Sequence, residues 1–218
     1  TAELTAELTA RRKQYEYYLK KLLTECHGDN VSLGDIGKVS MCKRILKDQT
    51  QPYGDIPFYK IGTFGGKADA YISNELYQEM IKKYNFPKIG DILISCSGTI
   101  GKTVIYDGKP AYFQDSNIVW IKNNEKKALN KYLYYAYKLM PFKISTGGTI
   151  ARLYNEGIEK ATIKLPSLQE QLQIINILDK FETYCDDLIG YLPAEIEARQ
   201  KQYEYYRDKL LSFKKLEV

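Results

Sequence analysis

The sequence holds one histidine, His27, and four cysteines, Cys26, Cys42, Cys96 and Cys185, among its 218 residues. One histidine excludes a histidine-rich metal centre. The scattered thiols form no CxxC pair, which fits reduced cysteines in a cytosol better than a disulfide framework or a zinc site. No apolar run approaches the roughly 18 residues that span a bilayer, and the opening TAELTAELTARRK lacks the apolar core of a secretion signal. The chain therefore reads as soluble, unexported and cytoplasmic, with no membrane partner. The absent initiator methionine suggests a fragment or a processed chain. What is present is an ordinary globular balance, 44% hydrophobic and 27% charged, which excludes wholesale disorder. The length suits one sizeable domain with helical appendages.

The net charge of +5 is unevenly spread. Residues 27–166 carry 20 Lys and Arg against 13 Asp and Glu, an excess of +7, while the flanks carry 12 against 14. Phosphate contacts require clustered Lys and Arg, so it is the middle segment that could face a polyanion.

The clearest internal signal is a repeat. LTAELTARRKQYEYYLKKLLT, Leu4 to Thr24, recurs as LPAEIEARQKQYEYYRDKLLS, Leu192 to Ser212, with 14 of 21 positions identical. Apolar and aromatic residues step by four and three through both copies: Leu4, Leu8, Tyr15, Tyr18 and Leu22, then Leu192, Ile196, Tyr203, Tyr206 and Leu210. Arg11 and Arg199 occupy the remaining seam positions. This is a heptad pattern, too short for a free-standing coiled coil, so each copy needs a partner helix. A third helix is announced by LPSLQEQLQIINILDKF. Ser167 can cap it while Glu170 reaches back to the cap, and Ile174, Ile177, Phe181, Tyr184 and Leu188 continue the seam. Gly190 and Pro193 read as a stop and a restart, giving two helices in line.

Between the flanks, IPFYKIGTF, DILISCSGTIG, KTVIYDG, AYFQ and NIVWIK read as strands and tight turns, rich in β-branched and aromatic residues. Asn74 to Tyr84 and Asn130 to Leu139 read as helices packed on that sheet. The fold class is α+β: a globule with a mixed or antiparallel sheet, flanked by long coiled-coil-forming helices.

Catalytic motifs fall short. CSGTIGKT, Cys96 to Thr103, would need glycine at position 96 to be a P-loop, and β-rich TVIYDG follows where the phosphate-cradling helix should start. Neither a GxGxxG cofactor loop nor an Asn-Pro-Pro-Tyr-like amino-methyltransferase motif occurs. Asp115, Glu125 and Lys127 imitate a nuclease pattern only loosely, because Asn123, Asn124 and Lys126 mark a polar turn. His27 reads as a cap or surface residue, and Tyr53, Tyr59 and Tyr71 as core or rim. No nucleophile, base and orienting group assemble, so the chain reads as a non-enzyme with no catalytic residue, no metal and no cofactor of its own.

STGGTIARLYNEGIEKATIKLPSLQEQLQIINILDKF, Ser145 to Phe181, resembles the end of a target recognition domain and the following conserved helix in specificity subunits of type I restriction-modification systems. IPFYKIGTF and SCSGTIGK are similar to motifs inside such domains. AEIEARQKQYEYYRDKLLSF resembles the distal conserved helix, and the doubled TAEL at Thr1 to Leu8 resembles the repeat of the central conserved helix in some members. The resemblance implies a conserved helix at 1–26, a target recognition domain at 27–166 and a distal helical region at 167–218, together a C-terminal half subunit. It also implies a non-catalytic reader of one half of a bipartite site in double-stranded DNA. Its partners would be modification subunits that bind S-adenosylmethionine and methylate adenine, and a restriction subunit in the full complex. Two half subunits would pair as a homodimer through Leu192, Ile196, Tyr203, Tyr206 and Leu210.

Base-reading residues should sit on loops that offer polar side chains to groove edges. The candidates are Lys43, Arg44, Lys60, Thr63, Lys67, Ser97, Thr99, Lys102, Gln114, Asn117, Thr146, Thr149 and Arg152, with Gly147 and Gly148 allowing close approach of backbone to phosphate. Two other classes stay open. An RNA-binding module is disfavoured by the lack of an RNP-like aromatic motif. A coiled-coil scaffold with a basic, protein-binding globule is the alternative that the seams alone would allow.

Overall fold

A computed structural model describes residues 2–145 and 151–212 of the chain, the side chains of 2–5, 7, 8 and 185–196 excepted. It divides into a globular unit, Lys21–Ile175, and a helical unit formed by Thr1–Lys20 with Asn176–Val218. The globule thus takes in the last turn of the first helix and the opening turns of the last, beyond the 27–166 expected of a recognition domain.

The predicted runs become strands β3 (Ile56–Tyr59), β5 (Ile92–Ser95), β6 (Thr103–Ile105), β7 (Tyr112–Phe113) and β8 (Ile118–Ile121), joined by β2 (Val39–Met41) and β4 (Tyr71–Ile72). β2, β8, β5 and β6 form an antiparallel four-stranded sheet in that order. β3 lies between β4, antiparallel, and β7, parallel. A separate antiparallel ribbon joins β1 (Gly28–Ser32) to β9 (Thr162–Pro166), tying the two ends of the globule together. Trp120, Leu93, Ile118 and Tyr112 pack with Phe58 and Phe113 in the core, all nearly excluded from solvent. Phe86 meets Tyr77 and Tyr106 edge-on at 5.7 and 5.6 Å, a geometry favoured by the ring quadrupoles.

Both predicted helices form, as α3 (Asn74–Lys83) and α4 (Asn130–Lys138), with the short α2 (Leu33–Ile36) and α5 (Asn155–Glu159) besides. Ser73 and Ser32 cap α3 and α2 by accepting the Leu76 and Asp35 N–H groups, as short hydroxyl side chains do at helix starts.

The last helix, α6 (Leu168–Leu211), is continuous over 44 residues, which corrects the predicted stop and restart at Gly190 and Pro193. Proline already holds a helical φ, so a long helix can run through it, at the cost of its missing N–H and of the crowding of its ring against the preceding turn. Ser167 accepts the Glu170 N–H as predicted, at 3.2 Å. The Glu170 carboxylate, however, accepts the N–H of His27, an exposed residue. A partner distant in sequence has taken the place of the local cap.

Gln171 is fully buried. Its Oε1 accepts the Leu129 N–H at 2.8 Å, and its Nε2 donates to the carbonyls of Lys127 and Pro166, each at 2.9 Å.

In the helical unit, α1 (Ala2–Thr24) and α6 meet where Tyr18 stacks on Phe181 at 5.2 Å. The predicted seam is shifted along α6: Ile174 and Ile175, in the globule, and Leu178, in the helical unit, are buried and Phe181 is half-buried, while Ile177 and Tyr184 are exposed. Steps of four then three from Ile174 hold one face of a 3.6-residue helix as well as the predicted three-then-four steps do. The side chain of Leu188 lies outside the described residues. No described helix is long and apolar enough to cross a membrane.

Candidate nucleic-acid interface

Strand register alone gathers most of the candidate residues. β2 ends at Met41 opposite Val119, β8 begins at Ile118 opposite Ser95, and β6 begins at Thr103 opposite Ile94. Lys43, Arg44, Asn117 and the Ser97 to Lys102 loop therefore all leave the sheet at one end. In the neighbouring sheet Tyr59 pairs in parallel with Phe113, so Lys60 to Lys67 and Gln114 to Asn117 leave side by side.

Hydrogen bonds fuse these loops. The Ile61 N–H donates to Gln114 Oε1 at 3.0 Å, and Ser97 Oγ donates to Asn117 Oδ1 at 3.0 Å. Lys102 Nζ donates to the Phe64 carbonyl at 2.7 Å. Arg152, at the far side, donates to the Ser116 carbonyl at 2.9 Å and lies over the Tyr154 ring. Ser116 itself has φ +54, a conformation that costs a non-glycine residue energy and is enriched where loops are functionally constrained. Gly98 and Gly101, at φ +61 and +79, supply the left-handed turns that bring the Ser97 to Lys102 loop back on itself.

The candidates thus separate by what their side chains do. Thr63 bonds within its own turn to Lys60 N and O. Gln114, Asn117, Ser97 and Lys102 tie one loop to another. Arg44 pairs with Asp115 at 2.9 Å yet keeps 66% of its side chain exposed, and Lys60 pairs with Asp69 at 2.9 Å. Lys43 lies over the ring of Tyr84, 5.4 Å from its centroid. Lys67 and Thr99 are exposed at the loop tips. Thr146, Gly147, Gly148 and Thr149 lie outside the described residues. Sequence reasoning missed Asp115 as a member of this surface. Its placement beside Arg44 comes from β2 pairing with β8, which no local pattern reveals.

Two buried thiols flank the loops. Burial pushes Cys42 up to about 12, with Asp115 adding to the rise, and pushes Cys96 up to about 11 against the opposing pull of Arg152. Neither is a thiolate nucleophile near neutrality. Strand β6, where a P-loop would begin its helix, follows Lys102 directly. Among the described residues, no three His, Cys, Asp or Glu side chains are placed to hold a metal ion.

In the helical unit Tyr203, Tyr206 and Leu210 form an exposed stripe on α6, at 63%, 50% and 72% of full exposure. Leu192 and Ile196 lie on the same helix with side chains outside the described residues.

The chain is 61% identical over 207 residues to a putative type I restriction enzyme specificity subunit of Haemophilus influenzae, covering 94% of this chain and 54% of that protein. It is 33% identical over 234 residues to the EcoR124I/EcoR124II specificity subunit of Escherichia coli, covering 100% and 57%. The chain thus spans about half the length of the curated relatives it matches. The crystal structure of the HsdS subunit from Thermoanaerobacter tengcongensis superposes with a TM-score of 0.68 at 18% identity, over 93% of this chain and 50% of that one, and so shares the fold. Residues 29–198 match the family described as type I restriction modification DNA specificity domain, and the chain belongs to that family.

Proposed function

We propose that the chain is a non-catalytic DNA reader, the whole or half of a type I specificity subunit, which recognises one half of a bipartite site in double-stranded DNA. The observation that carries this reading is the gathering of five segments at one end of two sheets, with Lys43, Arg44, Lys67 and Arg152 among them, in a chain of this family. Base edges are read by such side chains, while most contacts go to phosphate and fix register. The chain itself needs no cofactor. S-adenosylmethionine belongs to the modification subunits that dock on the helices, and a restriction subunit completes the complex in the cytoplasm.

The exposed stripe of Tyr203, Tyr206 and Leu210, extended in sequence by Leu192 and Ile196, fits pairing with the same stripe of a second copy, since a twofold axis lets one surface cover itself. A homodimer reads a palindromic interrupted site. Light scattering at tens of micromolar, alone and with modification subunits, is expected to give a dimer, and a monomer in both would refute the pairing. Duplex DNA should be bound with affinity that falls steeply with salt, and single strands should not compete. Equal binding of single strands, or salt-independent binding, would overturn the DNA-reading proposal in favour of a scaffold with a basic globule. The pure chain should neither methylate nor cut DNA, and methyl transfer by it would contradict the non-catalytic reading.

A further inference from the structure

Lys102 stands in a basic loop and has the appearance of a phosphate contact, but its geometry serves another purpose. Its ammonium donates to the Phe64 carbonyl at 2.7 Å. Its stem lies against Gly65, so close that a Cβ at that position would come within 2.8 Å of Lys102 Cε. Gly65 has φ +70, which glycine adopts without steric cost. Phe64 is rooted in the core at 4% exposure. The lysine therefore grips the loop at its turn, immediately after the residue that anchors it.

A second grip comes from the other side. Gln114 Oε1 accepts the Ile61 N–H, and the Gln114 N–H donates to the Tyr59 carbonyl at 2.9 Å. Between the two grips, Thr63 closes the turn on Lys60 and the Gly66 N–H donates to the Thr63 carbonyl. The Lys60 to Lys67 loop thus has little freedom of its own, and a Cβ on Gly98 would lie 3.5 Å from Ile61, in ordinary contact with it. The two loops present one surface.

We infer that Lys102 is a positioning residue: it braces the Lys60 to Lys67 loop against the Ser97 to Lys102 loop and thereby sets which bases the joined surface prefers. The inference rests on the DNA-reading proposed above, because only a reading surface turns loop position into base preference. A brace and a phosphate anchor respond oppositely to substitution. Arginine keeps the charge and suits phosphate well, but its planar fork is bulkier than the ammonium and stem that lie beside Gly65. Each lost phosphate contact lowers the slope of log K against log salt by about 0.9 and weakens all sequences alike.

The test uses the full chain with Lys102→Met and Lys102→Arg. Selection from a randomised duplex library, by the chain assembled with modification subunits, is expected to show altered or relaxed base preference in both variants, on the order of tenfold at one or more positions, with a salt slope unchanged in Lys102→Arg. A uniform loss in Lys102→Met, with a shallower slope and full recovery in Lys102→Arg, would overturn the brace. Amide hydrogen exchange on the chain alone separates this from failure of the DNA reading. Both variants should exchange faster at Ile61, Thr63 and Gly66, whose N–H groups are bonded in the braced loop, and not in β5, whereas unchanged exchange would overturn the brace whatever the DNA result. A wild-type chain with no sequence preference, but with the loop released in both variants, would sink the function and leave the brace standing.

Discussion

Gln171 commits both ends of its side chain to the backbone of the globule, and its removal tests how the start of α6 is held. Gln171→Leu would leave the Leu129 N–H and the Lys127 and Pro166 carbonyls without their partner. The bond to the Pro166 carbonyl is buried, while those to Leu129 and Lys127 are part-buried; a buried group stranded in this way costs roughly 1–3 kcal/mol when no water reaches it, so a loss on the order of 2 kcal/mol is expected, read as a lowered denaturant midpoint at constant slope. A loss under about 1 kcal/mol would mean that water replaces the amide.

The two buried thiols give a second test at this scale. At pH 8, Cys42 and Cys96 should resist alkylation in the folded chain and react on unfolding. The fold holds them protonated up to about 12 and about 11, while an unfolded thiol ionises near 9. Their contribution to stability is therefore fully present below about pH 9 and is lost as pH rises from there through 11 and 12. Serine at both positions should remove that part of the alkaline decline, and an unchanged decline would assign it to the buried tyrosines, whose ionisation is also opposed by burial.

Among the elements, α6 carries the sharpest disagreement between pattern and structure. Gly190 and Pro193 have the chemistry of a helix stop and a first-turn proline, and a local reading breaks the helix there. The structure runs through both. Pro193→Ala decides between them. In a continuous helix the substitution restores a backbone hydrogen bond and should stabilise the chain by on the order of 1–3 kcal/mol, whereas at a first helical position it would be neutral or unfavourable.

The doubled TAEL belongs to the same scale. Four residues lengthen a helix by ~6 Å and turn it ~40° beyond a full turn, close to the ~34–36° between successive base pairs of a 10–10.5 bp helical turn. Inserting one TAEL unit in a two-domain subunit is expected to lengthen the unread spacer by one base pair and leave both half-sites unchanged. Methylation mapped over a series of spacer lengths checks this, and an unshifted spacer would show that the helix is no ruler.

Across the whole molecule, what the sequence made legible was what local chemistry decides. The five β-rich runs became β3, β5, β6, β7 and β8, and α3 and α4 end within a residue of their predicted limits, because apolar spacing and polar punctuation sit within each segment. β1 and β9 were not legible, since GDNVS has no strand pattern of its own and is made a strand by TIKLP at the other end of the globule. The candidate site was half legible. Lysines and small polar residues marked loops that the fold gathers at one end of the sheets, but not that Gln114, Asn117, Ser97 and Lys102 bind neighbouring loops, which depends on strand register over tens of residues.

Everything proposed for the whole molecule depends on this end of the globule reading sequence in duplex DNA. The most direct measurement is selection from a randomised duplex library at several salt concentrations, comparing the wild-type chain in its assembly with a variant in which Lys43, Arg44, Lys67 and Arg152 are alanine. The wild type should enrich one short half-site and lose affinity steeply with salt, and the variant should lose both the enrichment and much of the salt slope. Enrichment of the same half-site at the same salt slope by both proteins would contradict that reading.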